Sequence, residues 1–227
     1  MKVSPYLIEV LKNFSSINPG LVIKPGNTLK TISKNQAIFA CAIVAEDFPL
    51  ECGIYDLNKV LGLLSLNKKD PEVVFEKDSL VYTGFGGSSK IRQRYYDQRL
   101  IVTPPNKELN FESAVNFVLT AEIHDWILEV ASILSCPNIV IESGGHLDLK
   151  ISAVDVKGEV VDNATVSILS KNDIEFKVVL KLENFNKIMS GEYRVDISPK
   201  GVCRFTHMSK NINYFIAFEK KESEFDV

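Results

Sequence analysis

Histidine is scarce in this 227-residue chain: there are 3, His124, His146 and His207, and they form no HxH or HExxH pattern. No zinc site is expected from them. The four cysteines, Cys41, Cys52, Cys136 and Cys203, form no CxxC pair, and each sits among apolar neighbours. They read as small hydrophobes kept reduced in a cytosolic chain. Cysteine–histidine catalysis has little support. Cys203 and His207 share a strand face but stand about 13 Å apart, and Cys136 and His146 are joined only by a strand and a Gly-Gly turn. Gly84-Phe85-Gly86-Gly87-Ser88-Ser89 lacks the GxxxxGK[ST] spacing of a phosphate loop and reads as a hairpin loop. Long apolar runs are missing too: none approaches the roughly 18 residues of a membrane helix. Met1-Lys2-Val3-Ser4-Pro5 begins a helix and has no signal-peptide core, so a soluble intracellular protein without a membrane partner is expected. Nor is there an excess of positive charge. The 26 Lys and Arg face 29 Asp and Glu, a net charge of −3. That argues against tight nucleic-acid binding over the whole surface and leaves room for a local basic patch.

What the chain has in quantity is apolar residues, 45% of the total, ample for globular cores. Their spacing predicts four helices among many strands. Ser4 and Pro5 open the first, which runs to about Ser16 with Leu7, Ile8, Leu11 and Phe14 on one face. The second covers 56–66, with Leu57, Val60, Leu61 and Leu64 inward. The third covers 121–134 behind Thr120, with Ile123, Trp126, Ile127, Val130 and Ile133 or Leu134 inward and His124, Asp125 and Glu129 outward. The fourth covers 183–189. Strands are expected at 21–24, 28–33, 36–45, 49–54, 72–76, 79–83, 89–96 and 99–102, then at 115–120, 138–142, 147–153, 159–169, 174–181, 192–197, 202–206 and 212–219. The acidic tail from Glu222 is expected to fray.

One motif occurs twice. Ile54-Tyr55-Asp56-Leu57-Asn58-Lys59-Val60-Leu61 matches Leu182-Glu183-Asn184-Phe185-Asn186-Lys187-Ile188-Met189 in its Asn-Lys pair and in the apolar positions around it. A fainter pair, Leu7-Ile8-Glu9-Val10 and Ile127-Leu128-Glu129-Val130, recurs at similar separation. Between the halves, residues 103–113 contain Pro104-Pro105, which favours an extended linker outside any sheet interior. The chain therefore reads as α+β: two similar domains, 1–106 and 107–227, each with helices packed on one face of antiparallel sheets. Lysines fall on helix faces or just beyond them, at Lys12, Lys59, Lys68, Lys69 and Lys187, and Lys90, Arg92, Arg94 and Arg99 lie in or beside late strands of the first half. Ordinary solvated faces carry such lysines, and the acidic third helix fits that ordinary reading.

The segments Leu11-Lys12-Asn13-Phe14 with Ile17-Asn18 and Gly20, and Ile54-Tyr55-Asp56-Leu57-Asn58 running into Leu61-Gly62-Leu63-Leu64-Ser65-Leu66, resemble the sliding clamps of T4-like bacteriophages, which are DNA polymerase processivity factors. The likeness is good over about the first 67 residues and collinear through Val102–Asn106 and Met189-Ser190-Gly191-Glu192-Tyr193. It implies the DNA-clamp fold assembled into a closed homotrimeric ring, helices around the hole and sheets outside, with no catalytic activity, cofactor or metal. The partners it implies are duplex DNA, held topologically and without sequence preference, a DNA polymerase, an ATP-driven clamp loader and, in late transcription, host RNA polymerase with a viral late factor. All of these act in the cytoplasm of an infected bacterium. Carried onto this chain, the resemblance makes Lys12, Lys59, Lys68, Lys187 and His124 DNA-facing. It makes Ile91, Arg92, Tyr95 and Tyr96 of one subunit meet Thr165, Val166 and Ile168 of the next. Partner peptides would dock near Pro104, Pro105, Phe111, Phe215 and Phe218. The alternatives are a structural or assembly protein of a virion, with the same two-domain β-rich layout, and a cysteine hydrolase acting through Cys203 or Cys136.

Overall fold

The structure is a computed structural model that describes residues 1–66, 71–84, 87–105, 111–145, 148–158, 161–170 and 173–225. The chain divides into two compact units, 1–106 and 107–227.

In the first unit, helix α1 (Pro5–Ile17) starts where Ser4 Oγ accepts the Leu7 amide at 3.1 Å. Strands β1 (Leu21–Ile23), β2 (Gly26–Ile32), β3 (Ile38–Phe48) and β4 (Cys52–Ile54) follow. Helix α2 (Leu57–Ser65) is capped by Asp56, whose carboxylate accepts the Asn58 amide at 3.0 Å. Strands β5 (Val73–Phe75), β6 (Ser79–Gly84) and β7 (Ser89–Arg94) complete the unit. Pairing is antiparallel throughout: β1 with β4, β2 with β3, and β5–β6–β7 in order. The first residues lie beside β5, with Lys2 bridging Glu72 and the Met1 carbonyl accepting the Val73 amide. Helix α1 packs on α2 and β3 and buries Leu7, Val10, Leu11, Phe14 and Ile17, so Val10 rather than Ile8 completes its inner stripe. The strand expected at 99–102 is instead a 3-10 turn at Gln98–Leu100. The Asp97 carboxylate accepts both the amide and the guanidinium of Arg99 at 3.0 Å, which closes the chain on itself and prevents extension.

The second unit repeats this order. It comprises β8 (Val115–Leu119), α3 (Ala121–Ile133), β9 (Asn138–Gly144), β10 (Asp148–Val154), β11 (Ala164–Leu169), β12 (Glu175–Lys181), α4 (Leu182–Phe185), β13 (Tyr193–Ser198), β14 (Val202–His207), β15 (Ile212–Ala217) and β16 (Glu224–Phe225). One antiparallel sheet runs β11–β10–β9–β12–β16, and β8, β13, β14 and β15 pair in that order.

Three local expectations are corrected. The fourth helix, expected over 183–189, is one turn long. The Lys187 amide reaches back to Asn184 and that of Ile188 to Phe185, a tightened i−3 pattern that ends the helix. The Asn-Lys repeat therefore stands in the first turn of α2 but beyond the end of α4. Three aligned pairs keep the same burial, Leu57 and Phe185 buried, Val60 and Ile188 buried, Asn58 and Asn186 exposed, while Lys59 is exposed and Lys187 half-buried. Helix α3 buries His124, Ile127 and Ala131, while Trp126 and Ile133 remain 41% and 72% exposed. It is rotated from the expected facing because the His124 ring is wedged between Phe185 and Tyr193, at 5.4 and 5.7 Å. The tail expected to fray is paired through β16 to Phe176 and Lys177 of β12. Among the described residues, no helix is long and apolar enough to cross a membrane.

Candidate functional site

Lys12 and Lys59 are exposed on α1 and α2, which pack together, so both stand on the helical layer of the first unit. Lys187 is half-buried in the turn after α4, and Lys68 lies outside the described residues. His124 cannot face DNA, which corrects the expectation. It is fully buried, its Nδ1 lies 3.0 Å from Asp125 Oδ1, and its Nε2 has no partner. Burial pushes its pKa down, against the upward pull of Asp125, so the ring is neutral at pH 7.

Asp125, on the outward face of the third helix, is part of a link. Ser190 Oγ donates to both carboxylate oxygens of Asp125, at 2.8 and 2.9 Å, tying α3 to the turn beyond Lys187. Hydrogen bonds from His124 and Ser190 hold the Asp125 carboxyl below the ordinary carboxylate range. The same turn needs glycine: a Cβ on Gly191 would sit 2.4 Å from His207 Nε2. The sequence places Asp125 only on the outward, solvated face of the third helix. The usable signal was the Ser190-Gly191 pair in a segment already marked by its resemblance.

No activated thiol emerges. Burial pushes Cys52 up to about 12 and also raises Cys41, Cys136 and Cys203, so none is a thiolate at neutral pH. Among the described residues, no group of three His, Cys, Asp or Glu side chains could hold a metal ion.

Strands β7 and β11 each stand at the end of a sheet. Among the described residues, β7 pairs only with β6, and β11 only with β10. On β7, Lys90, Arg92 and Arg94 are exposed, while Ile91 and Gln93, and Tyr95 just beyond the strand, are half-buried. Tyr95 is pinned by its hydroxyl donating to the Glu76 carbonyl at 3.0 Å, and Arg92 pairs with the Glu76 carboxylate at 2.9 Å. Tyr96 and Tyr55 pack their rings 5.3 Å apart, both substantially exposed. Between β7 and α2 runs a groove of about 590 Å³, lined by Lys59, Leu63, Arg92, Arg94, Tyr95 and Tyr96 among others. On β11, Thr165, Ser167 and Leu169 are exposed, with Val166 and Ile168 half-buried. Helix α3 packs beside β10 and β11, and its exposed Trp126 and Ile133 are flanked by exposed Glu122 and Glu129.

Pro104 and Pro105 line a groove of about 980 Å³ in the first unit, together with Val22, Pro25, Arg99 and Ile101. In the second unit, Phe111 meets Phe215 edge-to-face at 5.9 Å, and the Arg204 guanidinium lies 4.6 Å over Phe111. Asp196 grips Arg204 through Nη2 at 2.9 Å. Phe218 is buried in the core of that unit. Phe111 and Phe215 are thus brought together, whereas Phe218 offers little surface.

Residues 2–91 match the family model of the DNA polymerase processivity factor. Over 225 residues the chain is 32% identical to the sliding clamp of Vibrio phage KVP40, covering 96% of this chain and 99% of that one. It is 28% identical over 233 residues to the sliding clamp of Enterobacteria phage T4, covering 96% and 97%. Among solved structures, the Helicobacter pylori beta clamp bound to a DNA ligase peptide superposes with a TM-score of 0.73 at 15% identity, over 96% of this chain and 65% of that one. The proliferating cellular nuclear antigen of Entamoeba histolytica gives 0.67 at 12%, over 93% and 94%. These likenesses establish the clamp fold, α+β with antiparallel sheets. Because the KVP40 relative is matched over nearly its whole length, the chain belongs to the sliding clamps of T4-like phages, a family of DNA polymerase processivity factors that are not enzymes.

Proposed function

We propose that the protein closes into a homotrimeric ring around duplex DNA and tethers a DNA polymerase for processive synthesis, with residues 1–106 and 107–227 as its two clamp domains. The observation that carries this is that, among the described residues, each unit has a strand at the end of its sheet with a helix beside it: β7 with α2 in the first, β11 with α3 in the second. Copies joined head to tail through unlike edges form a ring when the rotation closes. Ile91, Arg92, Tyr95 and Tyr96 of one copy run along Thr165, Val166 and Ile168 of the next, which also covers two edges open to aggregation. Trp126 and Ile133 fill the groove beside α2, and Glu122 and Glu129 oppose Arg92 and Arg94.

Lys12, Lys59, Lys68 and Lys187 face the DNA. A few cations suffice, because a ring holds by topology and each tight phosphate contact would add salt-dependent friction to sliding. A clamp loader opens the ring with ATP that the clamp does not bind. The polymerase docks an extended segment at the Pro104–Pro105 groove or the Phe111–Phe215 platform. Host RNA polymerase with a viral late factor uses the same ring in the cytoplasm of the infected cell.

Light scattering at micromolar concentration tests the assembly, and primer extension with polymerase, loader and ATP tests the function. A trimer mass with longer products is expected. A strict monomer that leaves product length unchanged overturns the proposal.

A further inference from the structure

In both units the chain leaving the last long strand turns back across the outer edge strand of the other sheet. In the first unit this strap is keyed in. The Tyr96 amide donates to the Gly53 carbonyl of β4 at 2.9 Å, and a Cβ on Gly53 would sit 2.5 Å from the Tyr96 carbonyl oxygen. Ile101, 7% exposed, packs against Gly20 and Gly53. In the second unit the strap lies on the surface of the edge. The Glu219 amide donates to the Val179 carbonyl at 2.8 Å, the Val179 amide donates to Ser223 Oγ at 3.0 Å, and among the described residues Phe176 and Lys177 pair with β16.

The side chains under this loose strap form a pattern. The register sets Lys150 opposite Glu142, Glu142 opposite Lys177, and Lys177 opposite Glu224, a ladder of alternating charge across four strands. One step along, Phe225 stacks on Phe176 with centroids 5.5 Å apart. A groove of about 360 Å³ runs alongside, lined by Glu142, Lys150, Glu175, Phe176 and Lys177 together with the strap itself. Glu224 is exposed and Phe225 half-buried, so no side chain of these two leaves the core when the strap lifts, and the ring it uncovers is that of buried Phe176.

We infer that the outer edge of β12 is a second docking site, for an extended partner peptide bearing a glutamate followed by an aromatic residue, and that the chain's own Glu224-Phe225 occupies it as a competitor. An incoming strand would take the backbone bonds of β16, set its acid between Lys177 and the solvent, and stack its ring on Phe176. This site does not rest on the ring, because both partners of every contact named lie in one unit.

The probe is a fluorescent peptide with the sequence of residues 219–225. It is titrated by anisotropy into the full chain and into a Glu224→Lys, Phe225→Ala variant whose own strap is weakened. The variant should bind the peptide at least tenfold more tightly than the unaltered chain, and adding Lys177→Glu should remove the gain. Hydrogen exchange at the Lys177 and Val179 amides should speed up in the strap variant and slow again with peptide. Equal affinity of the two proteins, no binding to a variant whose far-UV spectrum is unchanged, or indifference to Lys177→Glu would overturn the inference. A failure here with a normal trimer mass leaves the ring standing, and the reverse result separates them equally well.

Discussion

Replacing Trp126 and Ile133 together by serine is expected to open the ring without unfolding the subunit. Both side chains are already exposed in the single chain, at 41% and 72%. Their removal therefore takes little from the core, and serine costs only a few tenths of a kcal/mol in helix propensity. In the proposed ring, what they contribute is area covered by the next copy. A tryptophan presents up to roughly 250 Å², so the exposed share of Trp126 is about 100 Å² and, at about 25 cal/mol/Å², is worth about 2.5 kcal/mol. Complete burial of isoleucine is worth about 2 kcal/mol, and the exposed share of Ile133 brings about 1.5 kcal/mol. The sum, about 4 kcal/mol per interface, corresponds to a nearly thousandfold weaker association. It is an upper value, because neighbours relax and the groove keeps some water. Light scattering over a dilution series, with circular dichroism as the control for folding, reads the effect directly. A doubly substituted protein with an unchanged spectrum and an unchanged trimer-to-monomer midpoint would refute the assignment of α3 to the interface.

Acid should weaken the second unit through His124. Its ring is buried and held neutral, so its folded pKa lies below the unfolded value of about 6.5. The unfolded chain then binds more protons in that window, and the stability this group contributes is complete above about pH 6.5 and declines as pH falls below it. Urea midpoints from pH 7.5 to 5 should fall less steeply for His124→Gln than for the unaltered protein, and parallel slopes would dismiss the role. Gly191→Ala places a methyl carbon 2.4 Å from His207 Nε2, which should cost about 1–3 kcal/mol by overpacking. His207→Ala in the same chain should recover part of that loss, and an unaltered urea midpoint for Gly191→Ala alone contradicts the close approach. Reversing Lys12 and Lys187 to glutamate should leave the trimer mass unchanged but shorten retention of the loaded clamp on circular DNA. Its salt dependence should be shallower by about 0.9 in log–log slope for each phosphate that a lysine no longer neutralises. Retention indistinguishable from that of the unaltered clamp would remove both lysines from the DNA-facing surface.

Local signals carried the helix starts. Ser4 with Pro5, Asp56 and Thr120 each supply a side-chain acceptor within three residues of the amide they cap, so neighbours in sequence settle the matter. The facing of α3 was not legible in the same way. Ile123, Trp126, Val130 and Ile133 trace one apolar stripe, and His124, Ile127 and Ala131 trace another about a third of a turn away. Periodicity alone prefers the first, because a histidine and an alanine look unlike core. The sheet chose the second: His124 fits between Phe185 and Tyr193, residues that lie about sixty positions further on. Asp125 and Ser190, 65 residues apart, form a link that no window of sequence contains. The tail is the same case, since whether Glu224 frays depends on an unpaired edge at Lys177. The site divides along this line too. Basic residues on α1, α2 and β7 could be picked out by type and position alone. The exposed apolar face of α3, which the proposed ring would use, was hidden, because Trp126 and Ile133 read as core. In the proposed ring, the apolar face of α3 left outside the core is covered by a second copy of the chain, whose groove beside β7 brings Arg92 and Arg94 to Glu122 and Glu129.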